Sequence, residues 1–104
     1  MNPEKEIELE IKDYLGKSGW FVFKISQPSR HARNIKGIAD LFAVKGGFSV
    51  WIEVKTHTGK QSTSQEIFQA NIESHGGRYI LARSVEDLVA QLKNEGNGSD
   101  SVTL

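Results

Sequence analysis

The sequence predicts an α/β domain with the element order α-β-β-β-α-β-α, in which a mixed sheet is flanked by helices. Two short apolar runs, 38–44 and 48–55, are separated by a Lys-Gly-Gly turn and predict a β-hairpin. A helical pattern lies between the second run and a further short strand at 78–82. These two strands can therefore run parallel, joined by a crossover helix.

The part of the chain before the hairpin predicts one helix, one strand and one loop. Apolar residues at helical spacing over 4–17 predict an amphipathic helix, with Pro3 in its first turn and Gly19 at its exit. Aromatic and β-branched residues over 20–25 predict a strand. The polar segment 26–36 predicts a loop that is mobile without a partner.

The part after the hairpin predicts the remaining helix, strand and helix. Ser62 or Ser64 can cap the second helix, which ends at the glycine pair 76–77. Glu66 is not spaced to form a capping box with Ser62, so the first residue of this helix stays open. The last strand follows the glycine pair, and Ser84 opens the third helix.

Composition narrows the class of protein. The 104 residues suffice for one small domain with a single core, which we expect over residues 1–94, followed by a disordered tail over 95–104. No cysteine is present, which excludes disulfides and thiolate metal sites and fits a reducing compartment. No apolar run is long enough for a membrane span, and the N-terminus is not a signal peptide. We therefore expect no membrane association and a cytoplasmic location.

Charge is balanced overall but unevenly distributed. The chain has 13 basic and 13 acidic residues, which argues against a generic nucleic-acid binder. The segment 21–39, however, contains no acidic residue, whereas the first fourteen residues are rich in glutamate. The best candidates for contacts with phosphate groups in the basic segment are Arg30, His31, Arg33 and Lys36.

Asp40, Glu53 and Lys55 are the residues most informative about chemistry. Side chains alternate along a strand, so Glu53 and Lys55 share one face of the second hairpin strand together with Trp51. Asp40 begins the paired strand and can lie close by. Two neighbouring carboxylates repel each other unless they are protonated or bridged by a cation. A divalent metal with oxygen ligands, Mg²⁺ or Mn²⁺, is the simplest explanation.

A plainer interpretation treats the same residues as ordinary surface groups. Glu53 and Lys55 would then form a weak surface ion pair, and Asp40 would only cap a turn. The metal interpretation gives all three a role, because a metal between the carboxylates can bind a phosphate oxygen and activate water. Lys55 can then orient that water or neutralise charge on the phosphorus centre.

The order of these motifs resembles a known superfamily. Gly-Ile-Ala-Asp (37–40), a hairpin and Ile-Glu-Val-Lys (52–55) are similar to the signature of the PD-(D/E)XK nucleases, with alanine in place of the usual proline. The segment Gly-Lys-Gln-Ser-Thr-Ser-Gln (59–65) and the later Gly-Gly and Ser-Val-Glu-Asp motifs resemble the VRR-Nuc branch, the virus-type replication-repair nucleases. The resemblance covers about residues 4–92 and implies a restriction-endonuclease-like core.

The resemblance also implies further site residues. A glutamate on the first helix should serve as a metal ligand or hold a water, and both Glu4 and Glu8 are candidates. Gln65 should orient Lys55 or a phosphate. Val54, between the glutamate and the lysine, is a further candidate metal-contacting position, and Lys60 is a candidate phosphate contact.

The activity implied by the resemblance is a Mg²⁺- or Mn²⁺-dependent DNA endonuclease. Small members of this branch occur in phages and prophages and resemble Holliday-junction resolvases, so we expect a homodimer acting on branched DNA. One alternative is a flap or single-strand nuclease with the same fold. A second alternative, from another class of protein, is a catalytically inactive DNA-binding module.

Overall fold

The computed structural model describes residues 2–25 and 35–103, and its elements follow the predicted order. The elements and their bounds are α1 (Pro3–Lys17), β1 (Phe21–Lys24), β2 (Leu41–Lys45), β3 (Phe48–Val54), α2 (Thr63–Ser74), β4 (Tyr79–Ala82) and α3 (Val85–Thr103). The prediction of an α/β fold with this order is confirmed. Most of the segment expected to form a loop, residues 26–34, lies outside the described residues.

The four strands form one mixed sheet in the order β1-β2-β3-β4. The first three strands are antiparallel, whereas β4 is parallel to β3, as the crossover through α2 requires. Gly46 and Gly47, with φ of 58° and 83°, form the hairpin turn, since two consecutive positive φ angles match the twist of the flanking strands. This turn fixes the register that pairs Leu41 with Ile52 and Phe42 with Trp51.

The two faces of the sheet are covered differently. One face packs against α1 and α3, and its main cluster is almost fully buried. The members of that cluster are Ile11, Leu15, Leu41, Ala43, Val50, Ile52, Val54, Ile80, Ala82 and Leu88. The opposite face carries a smaller cluster, in which Phe68 of α2 packs with Ala39 and Tyr79. Because side chains alternate, Trp51 and Glu53 belong to this second face.

Capping groups define the starts of the helices. Asn2 precedes α1 and accepts from the backbone N–H of Glu4 at 2.8 Å, and Pro3 occupies the first helical position as expected. Ser62 rather than Ser64 caps α2, and it does form a capping box. The second member of the box is Gln65, at the third helical position, and not Glu66, whose spacing was too long.

The third helix extends farther than the sequence predicts. Its backbone is helical to Thr103, whereas a disordered tail was expected from Glu95 onward. The expectation rested on glycine and polar composition, but extending a helix that is already nucleated adds one hydrogen bond for each residue fixed. The single-domain boundary at residue 94 stays a prediction. No helix in the described ranges combines the length and apolar character that crossing a bilayer requires.

Candidate active site

The strand register places Asp40 next to β3, beside Glu53. The backbone N–H of Asp40 donates to the Ile52 carbonyl at 3.0 Å, which continues the β2–β3 pairing one residue beyond β2. Its side-chain Oδ2 accepts from the backbone N–H of Val54 at 2.7 Å. Ile25 in turn donates its N–H to the Asp40 carbonyl at 2.8 Å. Asp40 is therefore held by three hydrogen bonds on the face that carries Glu53.

Glu53 is a buried acid with one oxygen left without a hydrogen-bond donor. The residue is 1% exposed. Its Oε2 accepts from Nε2 of Gln65 at 2.8 Å, whereas Oε1 has no hydrogen-bond partner in the described part of the chain. The neighbouring Asp40 carboxylate, when ionised, accepts hydrogen bonds and cannot donate one to Oε1. Oε1 therefore needs either a proton or a bound cation to make a favourable contact with Asp40.

Burial and the neighbouring acid raise the pKa of Glu53. Desolvation, followed by repulsion from Asp40, raises the pKa of Glu53 from 4.5 to about 8, although the charge of Lys55 opposes this increase. At neutral pH the carboxyl of Glu53 is therefore largely protonated when no cation is bound.

Lys55 lies on the same face, directly beyond Glu53. Its Nζ is 3.8 Å from Glu53 Oε2, and the two side chains are only 14% and 2% exposed. A weak surface ion pair, the plainer interpretation of these residues, is therefore wrong, because both groups are largely removed from water. The geometry instead places an ammonium group beside a carboxylate pair in a dry environment.

Gln65 connects the start of α2 to Glu53. Its Oε1 accepts from the backbone N–H of Ser62 at 2.8 Å as part of the capping box, which fixes the orientation of the amide. The amide nitrogen therefore faces Glu53 and donates to its Oε2 at 2.8 Å. The sequence resemblance suggested that Gln65 orients Lys55 or a phosphate, but in the structure it holds the acid.

The two helix glutamates occupy different surroundings. Glu8 is 5% exposed, and its Oε1 accepts from Lys24 Nζ at 2.8 Å. Its Oε2 lies 3.5 Å from Lys5 Nζ, an ion-pair distance without hydrogen-bond geometry. Glu4, by contrast, adds a small contribution to the raised pKa of Glu53, so its charge acts on the site.

The predicted third carboxylate does not join the pair in this arrangement. Among residues 2–25 and 35–103, no three acidic or histidine side chains lie close enough together to ligate one ion. The role of Glu4 or Glu8 as a ligand stays a prediction. The electrostatic contribution favours Glu4, since Glu8 is already neutralised by two lysines.

A clamp made by Arg83 holds the connection between β3 and α2, and no sequence motif indicated it. The guanidinium Nη1 donates to the carbonyl of Thr56, to that of His57 at 3.2 Å and to that of Gly59 at 2.8 Å. Three carbonyls on one guanidinium fix the segment that follows Lys55 and carries Lys60.

The basic residues expected to contact phosphate are only partly described. Lys36 and Lys60 are both exposed, in the two connections that lead into β2 and α2. Arg30, His31 and Arg33 lie outside the described residues. Their contacts with DNA stay predictions.

Gly37 brings the segment before Asp40 against the start of α2. Its φ is +74°, and a Cβ at this position would lie 2.3 Å from the Ser64 carbonyl and 2.6 Å from the Gln65 nitrogen. Only glycine satisfies both the left-handed conformation and this close backbone approach. The loop that delivers Asp40 and the helix that delivers Gln65 are thus packed directly on each other.

We expect the substitution Gly37→Ala to destabilise the fold by about 2–4 kcal/mol, from left-handed strain and a steric clash that the backbone must relieve. Gly46→Ala is a matched control, because Gly46 also has a positive φ but has open space where a Cβ would stand. Urea unfolding should show a loss of only about 1–2 kcal/mol for the control. Equal losses for the two variants would contradict the close approach.

The donor set fits a hard divalent cation. Glu53 Oε1 is buried and without a donor in the described ranges, the Asp40 carboxylate is adjacent, and both are oxygen ligands of the type that Mg²⁺ and Mn²⁺ prefer. The Ile52 carbonyl accepts from Asp40, and carbonyls alternate along a strand. The Val54 carbonyl therefore points to the side of β3 on which Asp40 lies. Its place among the metal contacts stays a prediction.

Comparison with known proteins supports the fold. No family model matches the sequence, and no curated protein matches it significantly. A solved structure described as a VRR_NUC domain superimposes with a TM-score of 0.76 at 19% sequence identity, over 89% of this chain and 97% of that one. The chain therefore has the fold of a VRR-Nuc domain, as the sequence resemblance implied, and this likeness concerns the fold alone.

Proposed function

We propose that this protein is a metal-dependent nuclease of the PD-(D/E)XK type that hydrolyses phosphodiester bonds in DNA. The observation that carries the proposal is the pair formed by half-buried Asp40 and buried Glu53, in which Glu53 Oε1 has no donor within the described residues. The ammonium group of Lys55, beside the pair, supplies the positive charge that phosphodiester hydrolysis needs. The fold supports this proposal, since the similar structure is described as a VRR_NUC domain.

The proposed roles follow from these positions. Asp40, Glu53 and the Val54 carbonyl hold Mg²⁺ or Mn²⁺, which when bound polarises the scissile phosphate and lowers the pKa of a water. Lys55 orients the attacking water and neutralises charge that develops on the phosphate. Gln65 keeps Glu53 in position. Glu4, or else Glu8, completes the site on the helix side.

Within this class we propose a structure-selective endonuclease of phage or prophage type that acts on branched DNA as a homodimer. Cleavage of two opposed strands at a four-way junction requires two active sites, and one domain of this size supplies one. Light scattering with and without DNA tests the assembly, and a monomer in both conditions would rule out the homodimer. The phosphate backbone would be bound by Arg30, His31, Arg33, Lys36 and Lys60.

The activity is tested by incubating the pure protein with labelled duplex, single-stranded, flapped and four-way-junction DNA in Mn²⁺, in Mg²⁺ and in EDTA. We expect cleavage of at least one branched substrate with Mn²⁺ and none with EDTA. If no DNA is cut, and Lys55→Ala binds DNA as tightly as the parent, the protein is a DNA-binding module instead. Cleavage of flaps or single strands without symmetric nicking of the junction would favour the alternative of a flap or single-strand nuclease.

The contact between Gln65 and Glu53 leads to a prediction that separates positioning from capping. Gln65→Glu keeps a capping-box acceptor for Ser62 but places a third carboxylate where a donor now contacts Glu53. The added negative charge should raise the pKa of Glu53 further and shift the acidic limb of the pH–rate profile to higher pH.

Two further outcomes complete this experiment. Gln65→Ala loses the Gln65 half of the capping box together with the donor to Glu53, and should reduce stability by about 1 kcal/mol as well as activity. If Gln65 acts only as a helix cap, Gln65→Glu will have the parental pH–rate profile. That result would remove its role at Glu53.

A further inference from the structure

Among the described residues, only half of the sheet face that carries the site is covered. Helix α2 packs Phe68 against Trp51 and Tyr79, and so covers β3 and β4. On the β1 side the same face carries Phe21 and Phe23, which are 69% and 42% exposed. These are large apolar rings on an edge strand, where a folded protein usually places charged or small residues.

The exposed rings continue as a series toward the site. The centroids of Phe21 and Phe23 are 5.5 Å apart, those of Phe23 and Phe42 5.9 Å, and those of Phe42 and Trp51 4.6 Å. We call these four residues the aromatic stripe. It crosses three strands, and Trp51 lies two residues before Glu53 on the same face.

The stripe lies within a short distance of the carboxylate pair. Asp40 precedes Phe42 by two residues along an extended backbone, which separates them by about 7 Å on the same face. Phe23 is directly opposite Phe42 on the neighbouring strand, about 5 Å farther across the sheet. A nucleotide adjoining a phosphate held at Asp40 and Glu53 would therefore be within reach of the rings.

We propose that the aromatic stripe is a stacking surface for unpaired nucleobases next to the scissile phosphate. The proposal rests on the proposed function and specifies its substrate: branched DNA that carries unpaired bases at the branch point. Every base has a π-face, so stacking on aromatic side chains tolerates any sequence. Bases within a duplex are already stacked and paired, so only unpaired ones can use the exposed rings.

A second copy of this chain is a poorer fit to the stripe. A phenylalanine buries about 150–250 Å² when fully covered. Phe21 and Phe23 are already partly covered, so together they offer far less than the roughly 800 Å² per partner of a stable interface. The homodimer proposed above would need a different or larger surface.

Base stacking is measured with a fluorescent base analogue, 2-aminopurine, placed in the unpaired part of a flapped DNA close to the branch. Binding is followed in Ca²⁺, by quenching and by anisotropy, with a fully paired duplex of the same sequence for comparison. Phe23→Leu keeps an apolar side chain but removes the ring, and Phe23→Tyr keeps the ring. Leu9→Ala is the control, since Leu9 is also 42% exposed but lies on α1, which packs against the opposite face.

We expect Phe23→Leu to weaken binding of the flapped DNA by at least about fivefold and to relieve quenching, with a change below about twofold for the duplex. Phe23→Tyr and Leu9→Ala should retain parental binding. Equal loss on both DNAs, or no loss on either, would overturn the proposal. So would a parent dimer in light scattering that Phe23→Leu dissociates, because the stripe would then be a protein interface.

Failure of this proposal is distinguishable from failure of the proposed nuclease activity. If ring-dependent quenching is found but no DNA is cut in Mn²⁺, the stacking surface stands and the hydrolytic function falls. If DNA is cut and the ring variants bind and cut flapped and paired DNA as the parent does, the nuclease stands and the stacking surface falls.

Discussion

Replacing Asp40 with asparagine is expected to reduce DNA cleavage at least about a thousandfold, equivalent to about 4 kcal/mol of transition-state stabilisation. The amide oxygen of asparagine can still accept from the Val54 N–H, so the backbone arrangement at the start of β2 should persist. What is lost is the negative charge that faces Glu53. The measurement is the single-turnover rate in Mn²⁺, with circular dichroism and urea unfolding to show that the fold is retained.

Asp13→Asn is the matched control for this experiment. Asp13 is the same residue type as Asp40, but its side chain is 64% exposed and forms an ion pair with Lys17 on the same helix. The control removes one negative charge from the protein without touching the site, and it should cleave DNA at the parental rate. Retention by Asp40→Asn of more than about a tenth of the parental rate would contradict a metal role for Asp40.

The second large effect is an unusual dependence of stability on pH in the absence of metal. The pKa of Glu53 is about 8 in the folded state, whereas its ordinary value is 4.5. Between these values the folded protein holds a proton that the unfolded chain has released. The free energy of unfolding should therefore fall by up to roughly 5 kcal/mol as pH rises through this window. Below pH 4.5 the contribution of Glu53 to the free energy of unfolding should not change with pH.

Urea unfolding in EDTA from about pH 5 to about pH 9 measures this dependence. Glu53→Gln should flatten the slope, because a neutral amide leaves no proton to lose. Glu10→Gln, at an exposed position on α1, should keep it. Mg²⁺ or Mn²⁺ should restore stability most strongly at the alkaline end, where the pair is ionised. A parental slope in Glu53→Gln would place the responsible group elsewhere.

The strand pattern and the turn made much of the fold predictable. Strict alternation in β3 separates Trp51 and Glu53 from the buried aliphatic residues, and the glycine turn fixes the register that brings Asp40 alongside. The convergence of Asp40 and Glu53 thus follows from two local features. Both features act over a few residues, which is the range at which sequence reasoning is strongest.

Contacts between distant segments were not predictable in the same way. Arg83 meets carbonyls more than twenty residues earlier, and nothing in its neighbourhood indicates that it does so. Glu8 pairs with Lys24, sixteen residues later, which competes with any role at the site. Gln65 matched a family motif, but its partner depends on how α2 is placed over β3. These contacts are decided by tertiary packing rather than by local pattern.

Titration of the metal-free protein with Mn²⁺ by calorimetry near neutral pH tests most directly whether Asp40 and Glu53 bind a cation. In buffers of different ionisation heat, the parent and Asp13→Asn should bind Mn²⁺ with release of a proton, because the ion replaces the proton held by the pair. Asp40→Asn and Glu53→Gln should lose this binding event. Equal Mn²⁺ binding in all four proteins, or none in the parent, would show that the carboxylate pair is not a metal site.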